Sequence, residues 1–253
     1  MRWNWQTQNW PNFSFTTERL QASLEDFFKF SGLLLGAYKH IAESDKNNLV
    51  FEIITDEAIK TSQIEGEYLN RESVQSSIKK QFGFQVDGRR PSAAEHGIAE
   101  MMVDLYQTFE EPLSNEMIFR WHIMLTNGRR DLVEIGSYRS SIDPMQVVSG
   151  HLGRPVVHFE APPSAIVPKE MDRFLDWYQE TSKTGKSPLH PVLRAGIAHL
   201  YFVSIHPLED GNGRIGRAIA EKALSESLGY PSLIALSHTI EKYKKKYYDA
   251  LAK

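Results

Sequence analysis

The sequence predicts a mainly α-helical protein with one small β-hairpin. Apolar residues recur at helical spacing through most of its length, and two short β-rich runs flank a glycine-containing turn near residues 145–159. A third feature marks where the chemistry lies. Residues 206–217, HPLEDGNGRIGR, put an imidazole, two carboxylates, three glycines and two arginines between two helical runs, far more polar chemistry than a buried turn needs.

With 253 residues, 41% of them hydrophobic, the chain can bury a substantial core as one large domain or two small ones. It has no cysteine, which excludes disulfides, thiolate catalysis and cysteine-based zinc sites. No apolar run approaches a membrane span, and the opening MRWNWQTQ lacks a signal pattern, so a cytoplasmic protein without a membrane partner is expected. The net charge of -3 gives no reason to expect nucleic acid as a partner.

Taken in order, Trp3, Trp5, Trp10, Phe13 and Phe15 form an aromatic leader expected to fold back over the neighbouring helix. That helix is expected over 17–43, with Leu20, Leu24, Phe27, Phe28, Leu33, Leu34 and Ile41 as its apolar face. A second helix, 49–65, ends in Thr61-Ser62-Gln63-Ile64-Glu65-Gly66, with Gly66 just past the C-cap. Glu65 has the wrong sign for a helix C-terminus, so another reason for it is sought. Helices follow over 71–82, 93–109 and 114–126, the first closed by a loop holding Gly88 and Pro91 and the last capped by Ser114. His96 and His122 have no set of neighbouring ligands and read as structural.

Between 130 and 163 the pattern changes. Runs 145–148 and 156–159, joined by a turn over 149–154, read as a hairpin carrying Val147, Val148, Val156 and Val157. Its edge is suited to receive an extended segment of a protein substrate by strand addition. Further helices are expected over 164–181, 192–205, 213–228 and 237–251. The chain divides into an N-terminal part, 1–90, and a core, 91–253, packed as one unit.

Each residue type in the polar loop has a use. Gly211 and Gly213 allow positive φ and leave no Cβ in the way, so that successive N–H groups converge on one anion at the start of the second helix. Arg214 and Arg217, three apart, share a face and suit a polyphosphate. Asp210 supplies a carboxylate suited to Mg²⁺ (or Mn²⁺), and His206 a base near neutral pH. Such a set implies that a hydroxyl attacks a nucleotide phosphate. A metal hydrolase drawn from His199, His206 and Asp210 leaves Gly-Asn-Gly-Arg unexplained, and no P-loop pattern occurs.

The segment resembles the signature of the Fic domain family, H-x-F-x-[DE]-G-N-G-R-x-x-R, at His206, Asp210, Gly211, Asn212, Gly213, Arg214 and Arg217, with Leu208 where the family usually has Phe. Residues 61–66 are similar to its inhibitory motif [ST]-x-x-x-E-[GN], through Thr61, Glu65 and Gly66. The Trp-rich opening resembles the leader of a subset of the family, and Tyr247-Tyr248 the ending of many of its cores, which line the nucleotide-base pocket. The resemblance implies a Fic-type helical bundle with a hairpin flap that acts as a protein adenylyltransferase. It would transfer AMP from ATP to a Ser, Thr or Tyr hydroxyl of a protein, or of a copy of itself. His206 would be the base and Asp210 would hold the metal. Asn212 and the 211–213 backbone would cradle the α- and β-phosphates, with Arg214 on the β- and Arg217 on the γ-phosphate. Glu65 would pair with Arg217 and restrain the reaction, or assist AMP removal. Transfer of another nucleotidyl or phosphoryl group, a non-catalytic nucleotide sensor, a homodimer and a winged-helix domain after the core are also open within the resemblance.

Overall fold

A computed structural model of the chain describes residues 3–86, 90–149 and 156–251. After the leader come α1 (Gln21–His40), α2 (Glu43–Ile64), α3 (Arg71–Gln81), α4 (Ala93–Gln107) and α5 (Asn115–Leu125). The strands β1 (Gln146–Ser149) and β2 (Val156–Glu160) follow, then α6 (Val167–Glu180), α7 (Pro191–Ile205), α8 (Asn212–Leu228), α9 (Leu236–Lys242) and α10 (Lys244–Leu251). The protein is thus mainly helical with one antiparallel strand pair. The expected hairpin turn at 149–154 and the Gly88 breaker fall largely outside the described residues.

The core forms around α7 and α8. Apolar on nearly every side, α7 is stable only when surrounded, and Ala198, Tyr201, Phe202 and Ile205 are fully buried with Ile215, Ile219 and Ala223 of α8. Ile98 and Met101 of α4, Trp121 of α5, Met171 and Phe174 of α6 and Ala58 of α2 close the same core. Local chemistry sets the helix starts. Asn70 caps α3, Ser92 and Glu95 make a reciprocal capping box on α4, and the Ser114 hydroxyl accepts from Met117 N–H at the start of α5.

Three expectations are corrected. First, α2 begins at Glu43, not 49, because the polar run after α1 is its first turn, where Glu43 and Asp45 favour the positive dipole end. Second, most of the expected apolar face of α1 is exposed: Phe28 is 52% and Leu33 62% accessible, and Leu20, Leu34 and Ile41 are also exposed. The helix meets the body along a narrow line through Leu24, Phe27 and Ser31. Third, the terminal helix breaks at Tyr243 into α9 and α10.

The leader does fold back, but onto α6, α7 and β2. Trp10 and Phe13 pack on Tyr201 with ring centroids 5.1 and 5.4 Å away, and Trp10 Nε1 donates to Glu170 at 2.7 Å. Trp5 Nε1 donates to the Glu160 carbonyl of β2 at 2.7 Å, and Asn4 Nδ2 donates to Ser204 Oγ at 2.7 Å. Phe15 stays exposed. Among the described residues no helix is long and apolar enough to cross a membrane.

Candidate active site

The site is built on the turn between α7 and α8. The last residue of the turn out of α7, His206, takes a left-handed conformation, φ 52° and ψ 58°, which is uncommon for a residue with a Cβ and must be held by its surroundings. Arg139 does the holding. Its guanidinium donates to the His206 carbonyl at 2.7 Å, the Pro162 carbonyl at 2.5 Å and Ser164 Oγ at 2.8 Å, while its own N–H donates to the Pro207 carbonyl. Leu208, fully buried, anchors the loop as the apolar residue expected there. Asn212 closes it, accepting from Leu208 N–H at 2.9 Å and donating to the Leu208 carbonyl at 2.8 Å. Gly211, at φ 81°, then opens α8 with no side chain capping its first N–H groups.

These contacts leave His206 suited to act as a base. Its Nδ1 lies 3.2 Å from the Val203 carbonyl, so the neutral ring carries its proton there and keeps the Nε2 lone pair free. Burial pushes its pKa down to about 4, further lowered by Arg139 and only partly countered by the Val203 carbonyl, Glu65 and Asp210.

The residues of the 61–66 motif meet the turn from the other side. Arg217 is 1% accessible, and its guanidinium donates to Thr61 Oγ1 at 2.8 Å, the Thr61 carbonyl at 3.0 Å and Glu65 Oε1 at 2.7 Å, with Tyr247 Oη at 3.4 Å. Glu65 stands over the start of α8, where a Cβ added to Gly213 would overlap its Oε1. Gly66 follows with φ 83°. Arg214 instead pairs with Glu67 at 2.7 Å. Glu65 thus pairs with Arg217 as the resemblance implies, and Arg214 is closed as well, by a second carboxylate from the turn after α2. Asp210 accepts from Gly211 N–H through Oδ1 and pairs through Oδ2 with Arg129 at 2.5 Å. Burial works to raise its pKa, but the hydrogen bonds from Arg129 and Gly211 and the charges of Arg214 and Arg129 outweigh it, and the carboxyl is held below its usual range.

A cavity of about 510 Å³ opens beside His206, Glu65 and Gly213. Its apolar walls are Leu200, Val203, Leu251, Tyr247, Tyr248, Val147, Val148 and Phe159, with His158 among them. The strand pair contributes this many neighbours because its register slips between Val147 and Val148, leaving His158 as an extra residue opposite them; such a bulge re-aims side chains that would otherwise alternate. Val147 and Val148 line the cavity, whereas Val156 and Val157 do not. Tyr247 reaches His199 Nε2 at 2.8 Å, and Tyr248 donates to the Ile64 carbonyl at the end of α2 at 3.3 Å.

The structure thus brings together His206, Gly213, Glu65, Tyr247, Tyr248, Val147 and Val148 around one cavity, with Thr61 and Arg217 behind it and Asp210, Arg214 and Gly66 at its margin. The Asn212 side chain turns inward to lock the loop, spending its Oδ1 and one Nδ2 hydrogen on Leu208 and leaving its backbone N–H and second Nδ2 hydrogen for an anion. The hydrolase drawing also fails, since His199 is committed to Tyr247 and, among the described residues, no group of three or more His, Cys, Asp or Glu could hold a metal ion. Sequence reading missed Arg139, Arg129 and Glu67. Only Arg139 carried a local signal, as the end of the Gly136-Ser137-Tyr138-Arg139 segment before the hairpin.

Residues 3–84 match a family described as a domain of unknown function, DUF4172, and residues 112–224 match the Fic/DOC family. Among curated relatives, the protein adenylyltransferase Fic of Aedes aegypti is 31% identical over 125 residues, 49% of this chain and 21% of that protein. The protein of the same name from Drosophila willistoni is 41% identical over 73 residues, 29% of this chain and 14% of that protein. The chain thus spans about a fifth or less of these relatives. A Fic family protein from Desulfovibrio desulfuricans G20 superposes with a TM-score of 0.67 at 26% identity, covering 96% of this chain and 68% of that one. A Fic domain containing signaling protein from Bacteroides thetaiotaomicron shares the fold, with a TM-score of 0.65 at 20% identity over 89% of this chain and 80% of that one. The helical bundle, the strand pair and the turn 206–217 accordingly identify this chain as carrying a domain of the Fic/DOC family over residues 112–224.

Proposed function

We propose that the protein transfers AMP from ATP to a hydroxyl side chain of a protein substrate, and that Glu65 restrains this transfer. The observation that carries the reading is the meeting of three parts at one cavity: the free Nε2 of His206, the uncapped start of α8, and the Glu65 to Arg217 ion pair of 2.7 Å lying across that start. The substrate oxygen attacks the α-phosphorus and gives its proton to His206 Nε2, while the bond from that phosphorus to the bridging oxygen breaks and diphosphate leaves. Negative charge building on the leaving group is met by the N–H groups of 212–214 and by Arg214 and Arg217, once these are released from their carboxylates. Fixed donors of this kind commonly contribute on the order of 10²-fold in rate each. The apolar walls around Tyr247, Tyr248 and Leu251 suit a nucleobase, and the strand pair suits the extended substrate.

Asp210 fits a divalent cation that needs few protein ligands. It is one ionised, partly exposed carboxylate beside the anion position, and its Oδ2 becomes free if the exposed Arg129 swings away. Mg²⁺ held there would neutralise phosphate charge. The test is transfer of label from α-³²P-ATP and γ-³²P-ATP onto protein. Label from the α-position alone, raised by Glu65→Ala and lost on adding His206→Ala, is the expected result. Label from the γ-position, or transfer that survives without His206, refutes the reading.

A further inference from the structure

The turn after α2 carries two carboxylates to the site. Glu65 N–H and Gly66 N–H donate to the Ser62 and Gln63 carbonyls and Glu67 N–H donates to the Ser62 carbonyl, the double bonding of a helix end closed by a left-handed glycine. In a continuing helix residues 65 and 67 would point to nearly opposite sides. The reversal at Gly66 instead aims both at α8, where Arg214 and Arg217 lie three apart on one face. The match is one to one: Glu65 Oε1 is 2.7 Å from Arg217 and Glu67 Oε2 is 2.7 Å from Arg214. The Arg214 side chain is only 9% accessible and its Nε is buried without a partner, so Glu67 is its close anionic contact, Asp210 being 3.9 Å away.

We propose that Glu67 is a second restraint on this site, holding Arg214 away from the phosphate next to the α-phosphate just as Glu65 holds Arg217 from the terminal one. This rests on the nucleotide reading above and extends it to regulation. A diphosphate must displace Glu67, and a triphosphate must displace both carboxylates. A monophosphate displaces neither. Removing Glu65 alone therefore frees only half of the anion site.

The test is direct binding of AMP, ADP and a non-hydrolysable ATP analogue by calorimetry to the wild type, Glu67→Gln and Glu65→Ala. Gln keeps the shape and removes the charge, and the turn is exposed enough to tolerate it. Freed of one partly exposed ion pair, Glu67→Gln should bind ADP on the order of fivefold more tightly, with AMP unchanged. Glu65→Ala should favour the ATP analogue over ADP. Glu67→Asp, which keeps the charge, should remain near the wild type. Equal tightening of AMP and ADP by Glu67→Gln, or no change for ADP, overturns the second restraint while leaving the transfer reading standing. Absence of nucleotide binding in the wild type and both variants overturns both. Binding as predicted without label transfer overturns only the transfer reading.

Discussion

Gly213 offers the sharpest test of where Glu65 stands. An alanine there places a methyl on top of Glu65 Oε1 and 3.2 Å from Arg217 Nη1. The colliding atom is the tip of a flexible side chain, so the collision costs no more than moving Glu65 off Arg217. That contact is a charge-assisted hydrogen bond of 2.7 Å from a guanidinium 1% accessible to a carboxylate 32% accessible. Discounted for this exposure, it contributes about 1–2 kcal/mol. Against it, alanine in place of glycine within a helix gains up to about 1 kcal/mol. Gly213→Ala in the wild type should therefore be neutral or destabilising by about 1 kcal/mol. In a Glu65→Ala background, with nothing to displace, the same change should stabilise by up to about 1 kcal/mol. Urea unfolding of the four proteins gives the coupling, expected near 1–2 kcal/mol. An effect of the same sign and size in both backgrounds would refute the placement of Glu65 over the start of α8. Label transfer adds a second contrast: Gly213→Ala also evicts Glu65 but puts its methyl where Glu65 Oε1 stood beside Arg217, so it should not reproduce the gain of Glu65→Ala.

Three further outcomes are expected. Arg139→Met strands the carbonyls of Pro162, Ile205 and His206 and should cost about 2–4 kcal/mol in urea unfolding, with transfer falling on the order of 10²-fold as His206 loses its left-handed turn. The acid limb of the transfer rate should fall near pH 4 in place of the ordinary histidine range, because burial lowers His206 to about 4. By the same shift the unfolded chain takes up a proton at this residue at higher pH than the folded one, so its stability contribution is whole at pH 7 and is lost from about 6.5 down to 4; the wild type minus His206→Ala difference should shrink by at most about 3 kcal/mol over that window. Trp5→Phe removes the donor to the Glu160 carbonyl and should raise KM for the protein substrate a few-fold while nucleotide affinity stays constant.

Much of this architecture was legible because its determinants are local. Ser114, Gly66 and Gly211 mark helix ends within a few residues of the bonds they make. Apolar spacing found α7 and α8 because both are buried, but misjudged α1, whose Leu33 and Leu34 follow the same spacing and face outward. Periodicity reports which residues share a face; whether anything covers that face depends on the rest of the fold. The polar loop showed its own chemistry but not its partners. Arg129 reaches Asp210 across 81 positions and Glu67 reaches Arg214 across 147, and nothing at either position marks the other. The structural part of Asn212 was hidden for a related reason: that its amide also locks the loop shows only when the Leu208 carbonyl and N–H are seen to be its partners.

The odd placement of Glu65 has a physical resolution in the packing of two helix ends. At the C-terminus of α2 its charge opposes the negative end of that helix's dipole, which disfavours it by several tenths of a kcal/mol. The same carboxylate lies at the uncapped N-terminus of α8, where a negative charge is favoured by a similar amount, and Arg217 adds the ion pair. Glu65 thus gains from the charge of the α8 start and from Arg217 without capping an N–H group there, and its position is favourable only while no better anion is there. A phosphate carries more charge and more acceptor oxygens, so it competes with Glu65 for the Arg217 guanidinium. The side chain it would displace is partly exposed, so its carboxylate can turn into water, which lowers the cost of release. Under the proposed function the Glu65 restraint is a competition between its carboxylate and a phosphate for Arg217, and its setting depends on how firmly the last turn of α2 is held. Tyr248 donating to the Ile64 carbonyl and Arg217 donating to the Thr61 carbonyl help to hold it, and both come from elements lining or backing the cavity beside His206.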